Sequence, residues 1–94
     1  MNMVEKSFIK DPDATLDYAF DWSTYWLQDG DMIDSYEVIV ASGLTKDNDS
    51  EKSGVVTVWL SGGTVGENYE VSCRIVTSLG RTDDRTIKIM VRER

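Results

Sequence analysis

Alternation of apolar and polar side chains is the main pattern along this chain. From position 69 to 78 it is strict, and one face carries Tyr69, Val71, Cys73, Ile75 and Thr77. A period of two with one apolar face is typical of a strand that is buried on one side. Residues 86–91 alternate in the same way, and the segment 80–85 (GRTDDR) separates the two runs. The pattern therefore predicts a hairpin with a charged turn.

Further strands are predicted upstream of this hairpin. Residues 1–10 predict a short edge strand that ends at the turn formed by residues 11–13 (DPD). Residues 16–22 alternate with a heavily aromatic face, and residues 33–40 also have extended character. Residues 55–60 (VVTVWL) are apolar on both faces. That segment fits either a central strand or a strand whose outer face meets a partner.

Two segments lack a strand pattern. Residues 24–31 (TYWLQDGD) predict a single helical turn that ends at Gly30, with a positive φ at that glycine. Residues 46–53 (KDNDSEKS) contain no apolar side chain and predict an exposed loop or a hairpin tip. The fold class predicted for residues 1–94 is all-β. We expect one antiparallel β-sandwich domain of six to seven strands, of the immunoglobulin-like or fibronectin-III-like class.

The start of the long strand resembles a tyrosine corner. In that motif a tyrosine near the beginning of a strand bonds through its hydroxyl to the backbone a few residues upstream. Gly66 to Tyr69 fits the motif, and a strand that simply begins with tyrosine after a glycine turn is the alternative. Cys73 lies on the inward face, so we expect a buried, inert thiol.

Charge and composition narrow the functional classes. Ten basic residues against seventeen acidic ones give a net charge of −7, which disfavours nucleic acid as a partner. No apolar run approaches the ~20 residues of a membrane span, and the start of the chain lacks a signal-peptide pattern. We therefore expect a soluble protein with no membrane partner.

The composition contains few of the residue types that enzymes use for catalysis. The chain has no histidine and one cysteine, which removes the commonest general base and the usual zinc ligands. Two acidic clusters, at residues 29–34 and 47–51, offer oxygen ligands for Ca²⁺. Neither follows the EF-hand spacing, so solvated carboxylates are the favoured interpretation. We expect no enzyme activity, no cofactor and no metal.

Candidate partner contacts come from tryptophans and from the charged turn. Trp22 is expected in the core, whereas at least one of Trp26 and Trp59 is expected near the surface, where aromatic side chains anchor interfaces. The charged turn is either a docking loop or a tip whose charges pair locally. The candidate contact residues are Trp26, Trp59, Arg81, Asp83, Asp84 and Arg85.

Three separated motifs resemble a known family. Residues 10–22 (KDPDATLDYAFDW), 59–64 (WLSGGT) and 80–85 (GRTDDR) are similar to small phage and prophage proteins of the fibre–tail adaptor, or phage-related tail protein, family. Members usually carry a Thr/Ser-rich stretch where this chain has KDNDSEKS, so that loop gives no information on a partner. The resemblance implies an immunoglobulin-like sandwich and a structural or adaptor role in the virion tail, and it supplies no catalytic residues.

Three functions follow as hypotheses. The first is a non-enzymatic structural adaptor of a phage or prophage tail, made in the bacterial cytoplasm, whose partners are other virion tail proteins and for which a homo-oligomer is left open. The second is a small module that binds carbohydrate on the host surface, with Trp26 or Trp59 as an aromatic platform beside Asp or Asn. The third, an enzyme, is disfavoured by the missing histidine and motifs.

Overall fold

The structure is a computed structural model that describes residues 4–24 and 26–93, with the backbone alone at positions 4 and 5. Seven strands form in these residues, and no helix occurs among them. Their bounds are β1 Val4–Lys10, β2 Leu16–Asp21, β3 Ile33–Val40, β4 Leu44–Lys52, β5 Val55–Gly62, β6 Asn68–Thr77 and β7 Thr82–Val91. The predicted all-β class is confirmed.

The strands form two sheets. One has four strands in the order β1-β7-β6-β3, and the other has three in the order β2-β5-β4. All pairs are antiparallel except β1 with β7, which run parallel. The expectation of a purely antiparallel sandwich is wrong at this edge. After β1 the chain passes to the other sheet, where it forms β2. β1 itself lies beside β7, the last strand, and runs in the same direction.

The core lies between the two sheets and follows the alternation of the strands. Val56, Val58 and Leu60 of β5 are fully buried, which confirms that the doubly apolar segment 55–60 is the central strand of its sheet. Trp22 is completely buried as expected. Leu16, predicted on the inner face, is an exception, because it begins β2 at the margin of the sandwich and is 40% exposed.

One strand was missed by the sequence pattern. The predicted loop 46–53 is mostly strand β4, the edge of the three-stranded sheet. Its inward positions, which lie opposite Leu60, Val58 and Val56 of β5, hold Lys46, Asp49 and Glu51. Inward-pointing charges protect a sheet edge from pairing with other chains, and they remove the apolar alternation that marks a strand. Asp47 occupies an irregularity between residues 46 and 48, which also changes the phase of the pattern.

Two other predictions need correction. Strand β7 begins at Thr82 and not at Thr86, so Asp83, Asp84 and Arg85 lie in a ladder with β6 and the turn itself is shorter. The predicted helical turn at 24–31 consists of hydrogen-bonded turns and a bend in its described residues, while Tyr25 lies outside them. Gly30 does have a positive φ, of 81°. The predicted first strand includes residues 1–3, which are also outside the described part.

The tyrosine-corner hydrogen bond is present. The hydroxyl of Tyr69 accepts a hydrogen bond of 2.9 Å from the amide of Thr64, five residues upstream. Gly63 packs so closely here that a Cβ would lie 2.6 Å from Cγ2 of Val91. Lys10 is fully buried at the same end and donates hydrogen bonds to the carbonyls of Asp11 and Gly62. The first two family-like motifs therefore meet in one corner, which we call the corner end.

Candidate partner-binding surfaces

The opposite end of the sandwich carries Trp26 and Arg81. We call it the loop end, formed by residues 22–24, 26–32, 53–54 and 78–81. The Arg81 guanidinium lies 3.8 Å from the centre of the Trp26 ring and donates a hydrogen bond of 3.1 Å to the Trp26 carbonyl. Both contacts connect the turn before β7 to the loop after β2, so this end is built as one unit.

A buried carboxylate fixes the two loops further. Oδ1 of Asp31 accepts hydrogen bonds from the Ser78 hydroxyl and from the amides of Met32 and Leu79. Its Oδ2 lies 3.9 Å from Nη1 of Arg81. Burial acts to raise the pKa of this carboxyl, but the hydrogen bonds outweigh burial and the pKa is lowered. The lowered pKa favours the ionised carboxylate, whose hydrogen bonds connect the loop after β2 to the turn before β7.

Two large apolar side chains protrude from this rigid end. Met32 is 62% exposed and Leu79 is 57% exposed, the two largest values among the exposed apolar residues of the described chain. They are neighbours, because the Ser78 amide donates to the Met32 carbonyl and the Met32 amide contacts the Ser78 hydroxyl. Exposed apolar groups on a fixed backbone are suited to docking, since little order is lost when they are covered. The sequence analysis did not identify either residue.

Asp83 and Arg85 lie on the inward side of β7 at the margin of the core, where their side chains remain 32% and 25% exposed. They share the inner face of β7 with Ile87, and they cover the indole of Trp22 at the end of β2. The Trp22 Nε1–H donates a 2.8 Å hydrogen bond to Asp83, and the Arg85 guanidinium lies 4.8 Å from the Trp22 ring centre. Arg85 also donates to the Asp21 carbonyl at 2.7 Å. These two candidates therefore connect the sheets.

Asp84 lies on the outer face of the four-stranded sheet. It accepts two hydrogen bonds from Arg74 on β6, at 2.9 and 3.2 Å, in a cross-strand pair. The Arg74 guanidinium lowers the pKa of Asp84. Each charged member of the motif thus has a partner within the domain, but only Asp83 and Arg85 pair with each other, since Arg81 pairs with Asp31 and Asp84 with Arg74.

Trp59 lies on a different surface. It is 39% exposed at the centre of the outer face of the three-stranded sheet, so the expectation of a surface tryptophan is confirmed. Asp17 of β2 is its register partner on one side and Asn48 of β4 on the other. Four of the six candidate residues consequently fall on three surfaces, while Asp83 and Arg85 lie between the sheets, so the six do not form one site.

Three further features of the described part of the chain concern metal-binding groups, the single thiol and membrane-spanning segments. No group of three or more Cys, Asp or Glu side chains there is arranged to hold a metal ion. Cys73 is fully buried, and burial raises the pKa of its thiol to about 12. Within residues 4–24 and 26–93 no helix is long and apolar enough to cross a membrane.

Comparison with known proteins adds one finding. A family model described as "Podophage GP4 fiber-tail adaptor protein gp77" matches residues 10–90. That match covers all three family-like motifs and every strand from β2 to β6. A search of curated proteins finds no match.

Proposed function

The chain belongs to the podophage GP4 fiber-tail adaptor family, and from this premise we propose that it is a non-enzymatic structural protein that joins virion components such as fibre and tail. Its partners are other phage tail proteins, and its place is the virion tail after synthesis in the bacterial cytoplasm. The match over residues 10–90 is the observation that carries this proposal.

The loop end is the surface that we assign to the neighbouring tail protein. Met32 and Leu79 supply exposed apolar area, and Asp31 and Arg81 hold their loops in place. Trp26 is half-buried under Arg81 and contributes to the rigidity of the end more than to its exposed area. A few apolar anchors on a preorganised frame are typical of residues that dominate binding energy.

The proposal includes a single immunoglobulin-like domain over residues 1–94. The strand orders support it, because β2-β5-β4 and β7-β6-β3 correspond to the B-E-D and G-F-C orders of the constant-type sandwich. The Tyr69 hydrogen bond is a second feature of that class. The difference is the first strand, which pairs in parallel with the last.

The test uses phage particles assembled in cells that supply one version of this protein. Met32→Ser with Leu79→Ser removes the apolar anchors of the loop end. Leu16→Ser with Val65→Ser is the matched control, because those two apolar side chains are 40% and 46% exposed outside the loop end. Quantitative mass spectrometry of density-purified particles measures copies per particle, and electron microscopy counts fibres.

We expect the wild-type protein at a fixed number of copies per particle. The loop-end variant should be incorporated about tenfold less, with loss of fibres, while the control is incorporated normally. Thermal melting of the purified variants checks that both are folded. Normal particles with full fibres in the complete absence of the protein would overturn the adaptor function. Normal incorporation of the loop-end variant would instead overturn only this choice of surface.

A further inference from the structure

Two of the three tryptophans are each paired with an arginine and an aspartate. Arg85 lies over the Trp22 ring, and Oδ2 of Asp83 lies 3.6 Å from Nε of Arg85. Arg81 lies over the Trp26 ring in the same way, with Asp31 at 3.9 Å from its Nη1. Such a group combines attraction of the cation to the ring face with attraction to the carboxylate.

The third tryptophan has the carboxylate but no arginine. Asp17 is the register partner of Trp59 across β2 and β5, and side chains paired in this way have Cβ atoms about 5 Å apart. Both side chains are on the outer face of the sheet, because their strand neighbours Tyr18, Val58 and Leu60 are buried. Among the described residues no cation lies over the Trp59 ring, which is 39% exposed.

We propose that Trp59 and Asp17 form a receptor for an arginine side chain of a partner protein. The partner's guanidinium lies on the exposed indole face of Trp59 and pairs with the Asp17 carboxylate. It thus occupies the same position relative to its tryptophan as Arg81 does at Trp26 and Arg85 at Trp22. This inference takes its partner, a tail protein, from the proposed function. The receptor lies on the outer sheet face and not at the loop end, so an adaptor could hold two neighbours at once.

Charge favours an arginine over a sugar at this position. The net charge of −7 attracts a cationic segment. The only lysine on the outer face of β4 is Lys52, and its register partner Val55 lies four residues along β5 from Trp59. That separation is about 13 Å along a strand. Asn48, the polar group that a sugar would use on the other side, already accepts a hydrogen bond from the Asp49 amide through Oδ1.

The experiment is an NMR titration of the full chain, separate from any phage particle. The probe is N-acetyl-arginine amide, and N-acetyl-citrulline amide is its neutral analogue of the same shape. Three indole N–H signals report on the three tryptophans, and Trp59→Leu assigns the third. Asp17→Asn removes the carboxylate, and Asp34→Asn, an exposed aspartate on the other sheet, is the matched control.

We expect arginine amide to shift the Trp59 indole signal in a saturable way, with half-saturation at about threefold lower concentration than citrulline amide. Asp17→Asn should abolish this preference, and Asp34→Asn should keep it. In Trp59→Leu, the amides of Thr57 and Ser61 should no longer distinguish the two probes. Equal responses to both probes would overturn the inference. A response of Trp59 to host-surface oligosaccharides but not to arginine would overturn it in favour of the carbohydrate function. Neither result bears on whether particles need the protein, so failure here is distinct from failure of the adaptor function.

Discussion

The Nε1–H of Trp22 donates a hydrogen bond of 2.8 Å to the carboxylate of Asp83, across sixty-one positions of sequence. Trp22 follows the last residue of β2 in one sheet, and Asp83 lies near the start of β7 in the other. The bond thus joins the two sheets at the point where apolar packing gives way to the loop end. A fully buried indole needs an acceptor, and the charged motif supplies it.

Loss of this acceptor should destabilise the domain. For Asp83→Ala we expect a decrease in the free energy of unfolding of about 1.5–3 kcal/mol, because the buried indole N–H loses a charged partner. Urea unfolding followed by tryptophan fluorescence measures the change. Asp34→Ala removes the same charge from an exposed position and should change stability by less than about 0.5 kcal/mol. Equal effects of the two substitutions would show that the Trp22 bond contributes nothing.

Gly63 and Gly66 allow backbone conformation to be separated from packing. Both have positive φ, 96° and 92°, but only at Gly63 would a Cβ meet other atoms, at 2.6 Å from Val91. Each alanine substitution should cost about 1–2 kcal/mol for the left-handed backbone. Gly63→Ala should cost about 1–3 kcal/mol more for overpacking against the corner. Thermal and urea unfolding of the two variants give the difference. Similar losses in both would mean that the corner adjusts freely.

Tyr36 should titrate abnormally. Its hydroxyl donates a 2.7 Å hydrogen bond to Asp49, and this bond, with burial and the nearby charge, raises the pKa of Tyr36 to about 12. Because the folded pKa lies above the usual value of about 10, the bond stabilises the fold below pH 10. That contribution is lost as the pH rises through 12.

Absorbance titration of phenolate tests this in wild type, Tyr36→Phe and Asp49→Asn. The phenol that is missing in Tyr36→Phe identifies the late transition. In Asp49→Asn the same phenol should ionise closer to pH 10, since the carboxylate charge is gone. An unchanged titration in Asp49→Asn would mean that burial alone shifts Tyr36.

Cys73 should be inert in the folded protein. It lies on the inner face of β6 with no accessible surface, and burial raises the pKa of its thiol to about 12. A thiol-specific reagent at neutral pH should therefore label Cys73 at once in urea, but in native protein only as fast as the domain opens. Stabilised and destabilised variants should change the native labelling rate in step with their unfolding free energies. Immediate labelling of native wild type would contradict the buried position.

The strands that carry strong alternation could be predicted because their side chains face one apolar core. β6 is the clearest case: every second residue from Tyr69 to Thr77 is buried, as the pattern indicated. β4 could not be predicted, since its inward face at the sheet edge holds charged residues, and Asp49 accepts hydrogen bonds there from Lys46 of the same strand and from Tyr36 of β3. The local sequence contains no sign of the Tyr36 contact, which joins strands of different sheets.

For the candidate surfaces too, some features could be predicted from the sequence and others depend on the tertiary structure. The sequence by itself determined that the domain is all-β, that Trp22 and Cys73 are buried and that at least one of Trp26 and Trp59 is near the surface, because side-chain period and hydrophobicity are local properties. Only the tertiary structure decided that Asp83 and Arg85 contact Trp22, that Met32 and Leu79 are exposed at the same end, and that Asp17 lies beside Trp59. Each of these depends on pairing between strands far apart in the chain. Pairing register and the crossing between sheets result from packing of the whole core, which no short segment encodes.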